Sequence, residues 1–160
     1  MSNSEYKYAG AIVLGMHDAM VSLTGMIAGL TFALVTRQNI ILSAVIASAA
    51  AGLSMGASNY LAEKTNGNKH AVISGILTST TYIITCVFLI TPFLVIQNTH
   101  HALISSFVVA FAIILGCNWC IRHAHGYSWW RHAIEMLVIC TTVSIISFAI
   151  GEFAQYVLAN

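Results

Sequence analysis

Charge is what this sequence has least of. Only 7% of its 160 residues are Asp, Glu, Lys or Arg, where a soluble domain carries about 25%. Eleven such side chains, six basic and five acidic, cannot clothe a water-soluble globule of this size. The same scarcity excludes a disordered chain, which would be polar and charged. A nucleic-acid binder is excluded too, because no basic excess exists to build a face for phosphates. Cysteine is also sparse. Cys86, Cys117, Cys120 and Cys140 are too few, in too apolar a chain, for a secreted disulfide scaffold. Cys86 and Cys140 lie inside apolar runs, where a thiol is usually a small core residue. What is abundant is hydrophobicity, at 58% of residues and a mean hydropathy of +0.83. The chain reads as an integral membrane protein with the lipid bilayer as its surroundings.

A membrane helix needs about 20 mostly apolar residues. Five segments meet that need, at about 8–35, 40–62, 70–96, 102–121 and 133–158. The polar stretch Gln97-Asn98-Thr99-His100-His101 divides the third from the fourth, and the lone proline, Pro92, bends or ends the third. The runs are continuous and do not alternate with period two, which excludes a β-barrel. The first run is too long for a signal-peptide core and is expected to be retained. With the N-terminus inside, Lys7, Lys64, Lys69, Arg122 and Arg131 fall on the cytosolic side and only Arg37 outside, the bias that basic residues impose on topology. The expected architecture is all-α: a single transmembrane domain over 1–160, with five spans, the N-terminus inside and the C-terminus outside.

The charges inside the spans carry the chemistry, because a carboxylate in hydrocarbon is costly. Asp18 lies about ten residues into the first span, roughly 15 Å from its cytosolic end, too deep for so short a side chain to reach water. It faces protein, water or a cation. Met16, Met20 and Met26 lie around it in sequence, and Met55 on the second span reaches a similar depth. A carboxylate and a thioether facing one cavity suit Fe(II) or Mn(II) better than Ca(II) or Mg(II), which want oxygen alone; methionines in apolar helices are otherwise packing residues. Met55, Asn59 and Glu63 share one helical face running to the cytosolic mouth. That stripe reads either as a polar approach for an ion or as an interhelical hydrogen bond at Asn59 beside a solvated helix end at Glu63. Gly25 and Gly29, with Ser48, Gly52 and Gly56, form small-residue faces. Such faces serve packing within one subunit or a homodimer interface; five helices are thin for enclosing a path alone, which favours the dimer.

A second cluster straddles the cytosolic ends of the fourth and fifth spans: Cys117, Cys120, His123, His125, His132 and Glu135. These are ligand types for zinc and other borderline ions, but the spacing does not match a closed zinc site. The alternative is an interfacial belt with Tyr127, Trp129 and Trp130. Glu152, near the outer end of the fifth span, either snorkels or marks an exit.

These stretches resemble the vacuolar iron transporter family, which includes the nodulin-21-like proteins. Gly15-Met16-His17-Asp18-Ala19-Met20-Val21-Ser22 with Gly25 and Gly29 is similar to the family's Asp-Gly-hydrophobic-Ser/Thr segment and its spaced glycines. Ala51-Gly52-Leu53-Ser54-Met55-Gly56-Ala57-Ser58-Asn59-Tyr60 is similar to its Ala-Gly-x-Ser-Met-x-x-x-Glu-Tyr segment. Phe148-Ala149-Ile150-Gly151 fits the final helix loosely. The resemblance implies a homodimer that moves Fe(II), and often Mn(II), out of the cytosol in exchange for protons, along a path between subunits lined by Asp18 and Met55. It implies no resident cofactor and no enzymatic activity; the metal is cargo. Two departures stand out. Asn59 replaces the family's Glu and takes no proton. The Glu-rich cytosolic domain that longer members insert after the second helix is reduced here to the link Glu63 to Lys69, leaving the Cys117–His132 cluster as a substitute for metal capture.

Two rival readings are a membrane metalloenzyme with histidine ligands and a non-transporting scaffold or metal sensor. The first is opposed by topology: His100 and His101 lie on one side of about 30 Å of hydrocarbon, and His123 and His125 on the other. The second follows if Asn59 has ended transport. A bacterial inner membrane is the expected location, a vacuolar or other organelle membrane the alternative.

Overall fold

A computed structural model describes the chain over residues 6–33, 35–125 and 129–159; the side chains at 6–7, 117–125, 129–133, 136–137, 140, 152, 154–155 and 157–159 lie outside the description. Five helices follow one another: α1 (Tyr6–Phe32), α2 (Arg37–Thr65), α3 (Ala71–Val95), α4 (Thr99–His125) and α5 (Trp129–Ala159). Among the described residues there is no strand. The chain is an all-α membrane protein with five helices, as its apolar runs foretell. Four stretches among the described residues are long and apolar enough to cross a bilayer: Tyr8–Phe32, Arg37–Thr65, Ala71–Val95 and Thr99–Gly116. The fifth helix carries a shorter apolar stretch, Thr141–Gly151.

Local chemistry sets the turns. α2 ends in a Schellman motif: Gly67 takes φ +74°, its N–H donates to Lys64 O at 3.0 Å, and Asn68 N–H donates to Glu63 O at 2.9 Å. Glycine is the residue that enters this backbone region without a steric penalty. At the other end of the bundle, Asn98 caps α4, its Oδ1 accepting from His100 N–H at 3.0 Å and His101 N–H at 3.3 Å. Arg37 opens α2 and donates through Nη1 to Phe93 O and Ile96 O, both at 3.3 Å. It thereby satisfies carbonyls at the C-terminal end of α3, where a cation is favoured. Pro92 leaves only three further helical residues before α3 stops at Val95.

Helix α1 is the hub and packs on all four others. Its buried residues Met16, Ala19, Met20, Leu23, Ile27 and Ala28 recur at helical spacing and meet Tyr82, Cys86, Leu89 and Phe93 of α3 and Ala110 and Ile114 of α4 in one core. The outward faces carry Leu42, Ile46, Leu53, Ile76, Val87, Phe88, Ile104, Val108, Ile145 and Ile150, all exposed, which is what a lipid-facing belt requires. The small-residue faces are used inside the chain. A Cβ at Gly29 would stand 3.0 Å from Ser147 O, and one at Gly151 would stand 2.9 Å from Gly29 O, so α1 and α5 touch backbone to backbone. Gly56 and Gly75 face each other in the same way across α2 and α3, at 2.8 and 2.7 Å from each other's carbonyl oxygens. Gly15 lies against the backbone of Thr78, joining α1 to α3. These approaches are the close packing that small residues allow between membrane helices.

Candidate functional site

Two polar layers cross the bundle between α1, α2 and α3. The first lies toward the N-terminal end of α1. Asn59 on α2 donates through Nδ2 to Thr78 Oγ1 at 2.7 Å, Ser74 Oγ at 3.1 Å and Ser74 O at 3.3 Å. Because a carbonyl only accepts, the contact with Ser74 O fixes the orientation of the amide. Thr78 Oγ1 shares its single proton between Ala11 O on α1 at 3.1 Å and Ser74 O at 3.0 Å. One chain of hydrogen bonds thus ties three helices together. Of the two sequence readings of Asn59, the structure displays the interhelical bond. Its amide nitrogen is turned to α3, and only its carbonyl oxygen is left to face an ion.

The second layer is centred on Asp18, near the middle of α1. The carboxylate is half-buried, and its neighbour one turn on, Ser22, is exposed. Ser22 does not hold the carboxylate. Its hydroxyl donates to the backbone oxygen of Asp18 at 2.6 Å and lies 2.9 Å from Tyr82 Oη. With the serine proton already used, the tyrosine is the donor of that second bond. Among the described residues the Asp18 carboxylate has no hydrogen bond or ion pair. Cys86 is buried and belongs to the same core cluster as Tyr82, one turn before it on α3. Ser48 is 6% exposed, and its Oγ makes no well-formed hydrogen bond among the described residues.

Met55 is half-buried and packs on the core cluster that contains Tyr82 and Cys86, one turn from Gly52, whose backbone rests on the Tyr82 ring. Met16 and Met20 are fully enclosed in that core, and Met26 packs on its edge. Glu63 sits at the α2–α3 turn, its Oε2 accepting from Asn68 Nδ2 at 2.6 Å. Asp18, Met55, Asn59 and Glu63 therefore descend along the α1–α2–α3 side in separate settings, without a hydrogen bond joining any two of them. In the second cluster, Cys117, Cys120, His123 and His125 belong to the last turns of α4, and His132 to the first turn of α5; their side chains, with that of Glu152, lie outside the described residues. Glu135 is exposed on α5. No group of three or more His, Cys, Asp or Glu side chains converges among the described residues.

Tyr82, Cys86 and Ser48 are absent from the stripe read in the sequence. A signal for them exists: Tyr82 and Cys86 are spaced i and i+4 like Asp18 and Ser22, so each pair shares a helical face.

Residues 9–71 match the VIT family. The match covers α1, α2 and the turn into α3. No curated protein matches the chain. The VIT family is one of membrane transporters of metal ions, and the matched segment holds Asp18, Met55, Asn59 and Glu63. The multi-pass membrane character that this family entails agrees with the apolar helices described above.

Proposed function

We propose that the chain exports Fe(II) or Mn(II) from the cytosol as a homodimer, with Asp18 and Met55 as ligands of the ion in transit. The observation that carries this reading is the setting of Asp18. A carboxylate halfway along a spanning helix, half-open at the bundle edge and without a protein partner among the described residues, needs a cation or water beside it, because lipid cannot solvate it. The exposed Ser22 one turn away puts a second polar group on that edge. A second copy covering this edge would shield both groups and close a path between the subunits. The dimer rests on this uncovered polar edge and on the family resemblance, since the glycine faces are filled within one chain.

In this scheme the N-terminus is cytosolic. Glu63, beside the α2–α3 turn, lies at the cytosolic mouth, and the Asn59 carbonyl lines the approach. Cys117, Cys120, His123, His125, His132 and Glu135 gather metal at the same membrane face. The ion is cargo; no resident cofactor and no enzymatic step is invoked. Proton exchange does not run through Asn59, which has no titratable group. A bacterial inner membrane is the proposed location.

Flux into proteoliposomes tests the reading. Wild-type protein should move Mn(II), and Asp18→Ala should remove that flux while the protein keeps its elution profile in detergent. Undiminished Mn(II) flux in Asp18→Ala would refute the assignment. Absence of flux in the wild type with intact metal binding would instead favour a sensor or scaffold.

A further inference from the structure

We propose that the groove between α2 and α3 seats an acyl chain of an anionic phospholipid, whose phosphate is met by Lys64 and Lys69. Neither Asp18 nor the ion path enters this inference, so it goes beyond the transport reading and stands or falls apart from it.

The groove follows from residue size. Gly56 and Gly75 bring the two helix backbones together, and at that crossing the outward face has no side chains to fill it. What remains is a depression of about 340 Å³ lined by Leu53, Ala57, Tyr60, Val72 and Ile76. Leu53, Val72 and Ile76 are each more than half exposed, so the groove opens outward, toward lipid. It does not run the length of the helices. One turn deeper, Ile83 Cγ1 stands 2.8 Å from where a Cβ on Gly52 would lie, so this side chain fills the place where the glycine stripe would continue the depression. Beyond it the outward face of α3 carries Val87 and Phe88, both exposed. From Leu53 to Tyr60 the groove spans roughly 10 Å at 1.5 Å per residue, toward the Thr65 end of α2, the cytosolic end in the scheme above. That lies within one leaflet of a hydrocarbon core about 30 Å thick. A helix of a second copy would need a seat along the whole span. A seat confined to one leaflet suits a lipid chain.

Charge stands at the mouth. Tyr60, at the shallow end, is half-buried, and tyrosine rings in membrane proteins favour the headgroup level. Lys64, one turn on, holds its ammonium 5.5 Å from the centroid of that ring. Lys69 is exposed on the α2–α3 turn, just ahead of Val72. The acid nearby, Glu63, accepts from Asn68 Nδ2 at 2.6 Å, and two cations outnumber it. Basic residues at the cytosolic ends of spanning helices, beside a pocket between them, are the chemistry that binds phosphate-bearing lipid heads. The apolar lining and the cations above it thus match the two parts of one molecule. A zwitterionic lipid brings a quaternary ammonium with its phosphate, which the two lysines repel.

Native mass spectrometry of the full chain, released from detergent, tests this. Phosphatidylglycerol and phosphatidylcholine of identical acyl chains are added at equal concentration. Wild type should retain phosphatidylglycerol about fivefold or more over phosphatidylcholine. Lys64→Gln/Lys69→Gln should bring the two lipids to parity, since it removes the headgroup contacts and leaves the groove. Ala57→Phe, which sets a ring into the groove from an exposed position, should lower retention of both lipids about fivefold. An unchanged elution profile and helical circular dichroism show that each variant is folded; should Ala57→Phe fail them, the wild type and the lysine variant decide. Parity in the wild type, selectivity that survives the lysine variant, or full retention by a folded Ala57→Phe protein overturns the inference. So does a particle mass that falls from two chains to one in Ala57→Phe, which would give the groove to a second copy. Loss or survival of Mn(II) flux in Asp18→Ala bears on the transport reading alone.

Discussion

At the scale of single residues, Asn59 and Asp18 show how differently two polar side chains are used within one membrane bundle. Asn59 reaches three oxygens on α3. Asn59→Ala should therefore lower stability by about 1–2 kcal/mol, the range of interhelical hydrogen bonds in membranes, measured by reversible unfolding in mixed micelles. Asn59→Glu, which restores the acid of the related family, should be more destabilising than Asn59→Ala, since it points a carboxylate at Ser74 O and removes the donor. A stabilising Asn59→Glu would contradict the described network. The place of Asp18 within a spanning helix was legible from its position in a long apolar run. The use of Asn59 was not, since its partners lie 15 and 19 residues away on another helix, and hydrogen bonds across helices leave no periodic trace. Cys86 was read as a small core residue. It is indeed buried, and its helix neighbour Tyr82, one turn earlier, was placed on the same face by spacing alone.

At the scale of elements, the helices meet where glycine removes the side chain. Gly29→Val and Gly151→Val should each cost roughly 1–3 kcal/mol through overpacking, because the added atoms meet backbone oxygens that cannot rotate away. Gly10→Ala is the control. Nothing lies within 4 Å of its missing Cβ, and its stability should change by less than about 0.5 kcal/mol. At the α2–α3 turn, Gly67→Ala should cost about 1 kcal/mol, as its φ of +74° disfavours any Cβ. Thermal melts in detergent rank all four; a Gly29→Val protein as stable as the parent would show that α1 and α5 do not cross there. The five helices were readable from apolar run length, and Gly67 and Asn98 fall in the polar punctuation between runs. The small-residue faces were also visible, but not their use. A stripe of glycines tells which side of a helix can approach a neighbour, and says nothing of whether that neighbour is α5 of the same chain or a second copy.

At the scale of the whole molecule, a central helix, α1, packs among four others, with an apolar belt outward and a polar edge at Asp18 and Ser22. A helix edge of that kind in lipid calls for a cover. The particle mass in mild detergent should accordingly be that of two chains, and Ser22→Asp, which sets a second carboxylate on the same edge, should shift it toward one. Composition made the membrane class plain and the runs made the fold plain. The open edge was hidden, because it depends on which faces of α1 the other four helices leave uncovered. The central claim is that Asp18 has a metal ion beside it. Anomalous diffraction from crystals soaked in Mn(II) measures that directly. A scatterer is expected within coordination distance of the Asp18 carboxylate in wild-type protein and none there in Asp18→Ala. A strong scatterer found only elsewhere, with the Asp18 carboxylate enclosed by protein donors, would contradict it.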